Sequence, residues 1–155
     1  MVKKSEVFNS KISVSDSDFS IQKIYKDVRA KAESLGYDFL EKQQTSKPKK
    51  YGDEIKFNFF FLRELDDFCD GEINVEFVFS SMKRGKGMDH GDAYVLVKGG
   101  RISDKDNKWG KTAFNRFLFE IYMNIKKEEF KKRYSIPISR DANGIYDVIK
   151  DDFGL

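Results

Sequence analysis

The sequence predicts an α+β fold in which an antiparallel β-meander of about five strands packs on a long C-terminal helix. Several segments alternate apolar and polar residues, as half-buried strands do. Two other segments repeat apolar residues at helical spacing, and most of the strand-like segments follow one another with short connections. The predicted element order is β-α-β-β-β-β-α-α.

The first strand and the first helix have clear patterns. Residues 6–14 alternate, so that Phe8, Ser10, Ile12 and Val14 share one face. Apolar residues then recur at helical spacing over residues 21–35, and residues 15–18 offer N-cap candidates. Gly36 follows, where the end of a helix favours a left-handed residue.

Four further strands are predicted over residues 37–45, 54–65, 72–82 and 92–102. Two of them place phenylalanines at alternate positions, so these rings share one face of the sheet. The rings of that face are Phe57, Phe59, Phe61, Phe77 and Phe79.

A long helix is predicted over residues 109–133, with apolar residues on two sides. Its main stripe is expected to pack on the sheet. Its second stripe must also be shielded from water, either by the last helix or by a partner subunit. The main stripe consists of Phe114, Phe117, Leu118, Ile121, Tyr122 and Ile125, and the second of Phe119, Met123 and Phe130. Pro137 should break the chain, and Ser139 or Asp141 could cap a last helix that ends at Phe153.

Composition indicates one folded, intracellular domain over residues 1–155. Aromatic residues make up 15% of the chain, far more than disordered segments carry. The single cysteine, Cys69, cannot form an intrachain disulfide. We expect neither a signal peptide nor a membrane span of roughly 20 apolar residues, and we therefore expect a cytoplasmic protein.

The element order resembles a reduced helix-grip fold, the START and polyketide-cyclase-like class, in which a meander wraps a long C-terminal helix. That resemblance implies a cavity between sheet and helix for an apolar small molecule, and it implies no catalytic residue. A second stretch also resembles uncharacterised archaeal proteins of similar length, and the resemblance is carried by Trp109, Phe117-Leu118, Tyr122, Phe130, Arg133-Tyr134 and Tyr146-Asp147.

Two motifs fail a check of spacing. Gly110-Lys111-Thr112 has the ending of a phosphate-binding loop, but Lys105 stands where that loop needs its first glycine. Residues 104–107 begin like a calcium-binding EF-hand loop, but Trp109 occupies the position of its required glycine. A helix N-terminus and a polar turn explain the two segments.

No catalytic or metal-binding set can be named. His90 is the only histidine and has carboxylates nearby in Asp89 and Asp92, but zinc usually requires three or four histidine or cysteine ligands. Cys69 has no adjacent base that could activate it as a nucleophile. The sequence therefore predicts no cofactor and favours a non-enzymatic protein.

Nucleic acid is not the favoured partner. Three basic groups occur, over residues 47–50, 83–86 and 126–133. Acidic residues intervene, and a net charge of +3 provides little attraction for a polyanion. A weak nucleic-acid binder through these loops would need them on one face.

The first functional hypothesis is the binding of an apolar small molecule between sheet and long helix. The residues that would line the cavity are Phe57, Phe59, Phe77, Phe79, Phe117 and Ile121. The alternative is a protein-interaction module, a homodimer or a binder of another protein, that uses the second stripe: Phe119, Met123 and Phe130.

Overall fold

One antiparallel sheet of five strands forms the frame of the protein, in the spatial order β1-β5-β4-β3-β2. The computed structural model describes residues 2–155, apart from the side chains of Glu41 and Lys42. The strands are β1 (Lys3–Phe19), β2 (Asp38–Lys47), β3 (Asp53–Glu64), β4 (Cys69–Arg84) and β5 (Asp89–Ser103). The predicted α+β class is confirmed. Strand β1 lies at one edge of the sheet, where it pairs with β5.

The helices are α1 (Ile21–Ser34), α2 (Ala113–Ile125), α3 (Lys127–Phe130) and α4 (Ile136–Asp152). A single π-helical turn, Lys131–Ser135, joins α3 to α4. Helix α1 begins after Ser20, whose hydroxyl accepts a hydrogen bond from the Lys23 amide. The predicted N-cap candidates at residues 15–18 lie instead within β1.

The predicted phenylalanine face of β3 and β4 is the centre of the core. Phe59, Phe61, Phe77 and Phe79 are each at most 2% exposed. Neighbouring rings meet mostly edge to face or tilted, as aromatic pairs prefer, with centroids 5.6–6.2 Å apart. These rings fill the layer between the sheet and its helices.

Helix α4 covers the sheet together with α1, and this corrects the predicted packing. Ala142, Ile145 and Ile149 of α4 belong to the same buried cluster as the sheet rings. The main stripe of the predicted long helix does not: Phe114, Phe117, Ile121 and Ile125 are exposed. The sequence pattern shows that a helix face is apolar, but not which of two apolar helices reaches the sheet.

Pro137 does not break the chain, contrary to the prediction. It stands in the first turn of α4, where a missing amide hydrogen is tolerated. The break falls earlier, at Lys126, so the predicted helix over residues 109–133 is divided after α2.

Helix α4 can approach β5 closely because Gly99 has no side chain. A Cβ atom at Gly99 would lie 3.1 Å from the Cβ of Ala142 and 3.3 Å from that of Phe8. At the end of α1, Gly36 has the predicted left-handed backbone, with φ of +87°.

Candidate functional site

Helix α2 presents an apolar face to solvent. Phe114, Phe117, Ile121 and Ile125 are 67%, 60%, 41% and 73% exposed, and Leu118 beside them is half-buried. At 100° per residue all five side chains fall within about 100° of one another. We call this set, Phe114, Phe117, Leu118, Ile121 and Ile125, the outward stripe.

The opposite face of α2 anchors the helix to the protein. Phe119 is fully buried and Met123 is 7% exposed, in a second apolar cluster with Phe130, Tyr134 and Ile138. Helix α2 is therefore apolar on two opposite sides, and the fold covers only one of them.

A capped loop fixes the start of α2. The buried carboxylate of Asp104 accepts hydrogen bonds from the amides of Lys108 and Trp109, at 2.9 and 3.0 Å. Thr112 then caps the helix, since its hydroxyl accepts from the Asn115 amide at 3.0 Å. The Asp104 carboxylate therefore accepts hydrogen bonds from the backbone of its own loop. The segment Gly110-Lys111-Thr112, which resembled a phosphate-binding loop, is the N-terminus of α2.

An aromatic cleft lies beside α2, between the β3–β4 hairpin and the helical segment that follows α2. Its volume is about 390 Å³. Its aromatic residues are Phe68, Trp109, Tyr122, Phe130 and Tyr134. Its charged residues are Asp66, Asp67, Lys126, Glu129 and Arg133.

The aromatic residues of the cleft form a connected stack. Trp109 lies nearly parallel to Tyr122, with centroids 5.6 Å apart and 10° between the ring planes. Phe68 stacks on Phe130 at 5.5 Å, and Tyr122 meets Phe130 edge to face at 5.7 Å. The wall is therefore built from three separate chain segments.

Asp66 ties the hairpin to the π-helical turn. One oxygen accepts hydrogen bonds from the amides of Phe68 and Cys69, both at 2.9 Å. The other oxygen accepts from the Tyr134 hydroxyl at 2.5 Å and pairs with the Arg133 guanidinium at 3.3 Å. The extra residue of a π-turn rotates the following side chains, and such turns recur at functional sites.

These contacts shift the pKa values of the pair. Burial would raise the pKa of Asp66, but the four donors stabilise the carboxylate and hold its pKa below the usual range. Burial and the hydrogen bond to Asp66 raise the pKa of the Tyr134 phenol above its ordinary value. Asp66 is therefore ionised and Tyr134 neutral at physiological pH, which gives a fixed structural pair.

The residues predicted to line a ligand cavity separate into two groups. Phe57, Phe59, Phe77 and Phe79 lie together in the core, in contact with one another. Phe117 and Ile121, predicted to face them, instead point to solvent on α2. Phe57 also lines an open groove of about 580 Å³ beside α1, with Ile21 and Tyr25.

The predicted interaction residues are not at the surface. Phe119, Met123 and Phe130 are at most 7% exposed, so the second stripe packs inside the protein. The second stripe is buried against Tyr134 and Ile138, and the main stripe is the one that faces solvent.

The basic groups do not form one patch. Residues 47–50 and 83–86 lie at the same end of the sheet, since Lys47 pairs with Glu54 and Asp53 pairs with Met82. Residues 126–133 lie at the opposite end, beside the β3–β4 hairpin. Lys49 and Arg84 also form ion pairs, with Glu54 and Asp89.

His90 and Cys69 have structural surroundings. Both ring nitrogens of His90 lie 2.6 Å from carboxylates, those of Asp16 and Asp18. Among residues 2–155, no group of three or more histidine, cysteine or acidic side chains could hold a metal ion. Burial raises the pKa of the Cys69 thiol to about 12, so the thiol stays protonated.

Sequence reasoning missed the aromatic cleft. In the sequence, Asp66 belongs to a cluster of aspartates that is typical of a turn, and Trp109 is the first residue of the predicted long helix. No spacing rule brings residues 66, 109, 122 and 134 together, so only the fold reveals them.

The chain matches no known protein family, no curated protein and no solved structure. Within residues 2–155, no helix is long and apolar enough to cross a membrane. Any functional conclusion therefore depends on the geometry of the surface.

Proposed function

We propose that this protein is an interaction module that pairs with a second copy of itself through the outward stripe of α2. The exposure of Phe114, Phe117, Ile121 and Ile125 on one helix face supports it. Soluble proteins rarely leave a contiguous set of large apolar side chains in water unless a partner covers it.

The spacing of the stripe suits a helix as the partner. Phe114, Leu118, Ile121 and Ile125 follow one another at intervals of four, three and four residues, the alternation of a coiled-coil seam. In a two-fold symmetric pair the same stripe supplies both surfaces, so a second copy offers a helix face that is apolar and has the same spacing.

The exposed charged residues Arg116 and Glu120 of α2 lie away from the stripe. At 100° per residue they stand about 155° and about 115° from the centre of the stripe. They therefore leave the stripe apolar, and burial of its side chains is what would hold the two copies together.

The mass of the protein in solution tests the proposal. We expect light scattering to show a rise from one chain to two with increasing concentration. Phe117→Glu should keep the mass at one chain, because a charge within the stripe cannot be buried without a partner of opposite charge. Tyr51→Glu, at an exposed aromatic on the β2–β3 turn, is the matched control and should still pair.

A second control tests which face of α2 pairs. Arg116→Glu places a negative charge on the same helix but about 155° from the centre of the stripe, so pairing should be retained. A chain that stays single at millimolar concentration would reject the proposal.

Apolar-ligand binding is a second candidate, and the groove beside α1 supports it. The groove is lined by Ile21, Tyr25 and Phe57, next to polar residues of α1. We expect native mass spectrometry with oleate to show one adduct per chain. Gln22→Trp, which fills the groove from α1, should remove the adduct, and an absence of any adduct would end this candidate.

A further inference from the structure

We infer that one end of the sheet, formed by the β2–β3 turn and the β4–β5 loop, docks on an anionic membrane surface. This surface consists of residues 47–51 and 83–88, and we call it the basic end. It lies at the opposite end of the sheet from the β3–β4 hairpin and the aromatic cleft. The inference goes beyond the pairing through the outward stripe and does not depend on it.

The two turns of the basic end are held side by side. Both extend beyond the cross-strand pair of Asp53 and Met82, so they project from the same end of the sheet. Gly52 packs directly on β4, since a Cβ atom at Gly52 would lie 2.6 Å from the carbonyl carbon of Ser81 and 2.8 Å from the Met82 nitrogen. The fold therefore fixes the β2–β3 turn against the strand that leads into the β4–β5 loop.

The basic end carries more cations than its own ion pairs use. Lys49 pairs with Glu54, and Arg84 pairs with Asp89. Its other lysines are exposed, and none of them has a carboxylate partner among the side chains that the structure describes: Lys47, Lys50, Lys83 and Lys86. These positive charges remain available to an anionic partner.

The tips of the two turns contain no acidic residue. The acidic residues of this end lie behind the tips, in strands β1, β3 and β5: Asp16, Asp18, Asp53, Glu54, Asp89 and Asp92. Asp16 and Asp18 contact the ring of His90, which offsets part of their charge. A flat anionic surface that approaches the tips therefore meets lysines first.

Each turn also exposes one large apolar side chain. Tyr51 is 75% exposed and Met88 is 53% exposed. The ammonium of Lys50 lies 5.5 Å from the centre of the Tyr51 ring, so cation and ring are adjacent. Tyrosine favours the level of lipid headgroups because its ring is apolar and its hydroxyl is polar.

An anionic lipid surface fits both features of the basic end. Lysines are attracted to anionic headgroups, and apolar side chains beside them add affinity when they enter the boundary between headgroups and acyl chains. A nucleic-acid backbone would contact the lysines but would leave Met88 in water. The exposed methionine therefore favours a lipid surface over nucleic acid.

Sedimentation of the full chain with lipid vesicles tests the inference. Vesicles of phosphatidylcholine are compared with vesicles that also contain about 30% phosphatidylserine, at salt concentrations of about 0.1 and 0.5 M. We expect at least about tenfold stronger binding to the anionic vesicles at the lower salt, and release at the higher salt. Equal binding to the two kinds of vesicle overturns the inference.

Matched charge variants locate the surface. Lys50→Glu combined with Lys86→Glu reverses one cation on each turn and should weaken binding at least about tenfold. Lys127→Glu combined with Lys131→Glu makes the same change of net charge at exposed positions of the opposite end, and should weaken it less than about twofold. Equal losses in the two double variants overturn the inference.

The apolar tips distinguish lipid from nucleic acid. Tyr51→Ser combined with Met88→Ser keeps the net charge and should weaken vesicle binding at least about threefold. Both side chains are exposed, so the melting temperature should stay unchanged and show that the variant is folded. Vesicle binding equal to that of the parent overturns the inference, as does tighter binding of the parent to a single-stranded oligonucleotide than to the anionic vesicles.

Discussion

Asp66 is the residue that connects the β3–β4 hairpin to the helical C-terminal part. Its carboxylate serves four donors from two chain segments, and 27% of its side chain remains exposed. Its neighbour Asp67 is exposed and lines the rim of the same cleft. The two adjacent aspartates therefore make a matched pair for mutation.

Asp66→Asn should destabilise the protein by about 1–3 kcal/mol at pH 7, since hydrogen bonds to a carboxylate are lost. Asp67→Asn should have little effect. Because folding lowers the pKa of Asp66, its contribution is present above the unfolded value, about 3.9, and is lost as the pH falls through the folded value. Urea unfolding at pH 7 and pH 3 measures both effects, and equal stability of the two variants at pH 7 would contradict this prediction.

His90 contacts two carboxylates of β1, those of Asp16 and Asp18, and the strength of these contacts depends on whether the His90 ring is protonated. Its two ring nitrogens can both donate to carboxylates only when the ring is protonated. Hydrogen bonds to Asp18 and Asp16 accordingly raise the pKa of His90 above its ordinary value of 6.5.

A proton NMR titration should therefore give His90 a pKa above about 6.5, and Asp18→Asn should lower it. The raised folded pKa means that this contribution to stability is present below the unfolded pKa and is lost as the pH rises through the folded one. A pKa of His90 that does not change with Asp18→Asn would show that the contact does not form in solution.

At the scale of elements, α2 and α4 have opposite roles. Ile145 of α4 is fully buried against the sheet, whereas Ile121 of α2 is 41% exposed. The same substitution at the two positions therefore distinguishes the helix that forms the core from the one that presents a surface.

Ile145→Ala should cost about 2–5 kcal/mol of unfolding free energy, because it removes buried methyl groups and leaves a cavity. Ile121→Ala should change stability by less than about 0.5 kcal/mol where the protein is a single chain. Chemical denaturation at micromolar concentration compares them. The reverse order would mean that α2, not α4, packs on the sheet.

At the scale of the whole molecule, association and stability should be linked. A partner that binds only the folded state raises the apparent stability by mass action. The melting temperature should therefore rise with protein concentration, and Phe117→Glu should remove that dependence. Tyr51→Glu should retain it, and a melting temperature independent of concentration in the parent protein would argue against pairing.

The separation of the three basic groups is also a property of the whole molecule, and it bears on nucleic-acid binding. Two groups lie at one end of the sheet and the third lies beside the aromatic cleft at the other. Groups at opposite ends of the sheet do not form the single basic patch that is typical of a nucleic-acid site, and the net charge is small.

The sequence by itself determined the local structure. Alternation identified the strands and their inner faces, including Phe57, Phe59, Phe77 and Phe79, because period two sets which side chains share a side. Helical spacing identified α1 and both apolar sides of α2. These patterns are properties of neighbouring residues, so they can be read without the fold.

Only the tertiary structure decided which apolar surface is buried and which is left for a partner. Both stripes of α2 are apolar, and packing against Tyr134 and Ile138 buries only the second of them. The cleft around Asp66, Trp109 and Tyr134 likewise depends on contacts between residues as many as 68 positions apart. Long-range packing fixes these outcomes, and no local periodicity encodes them.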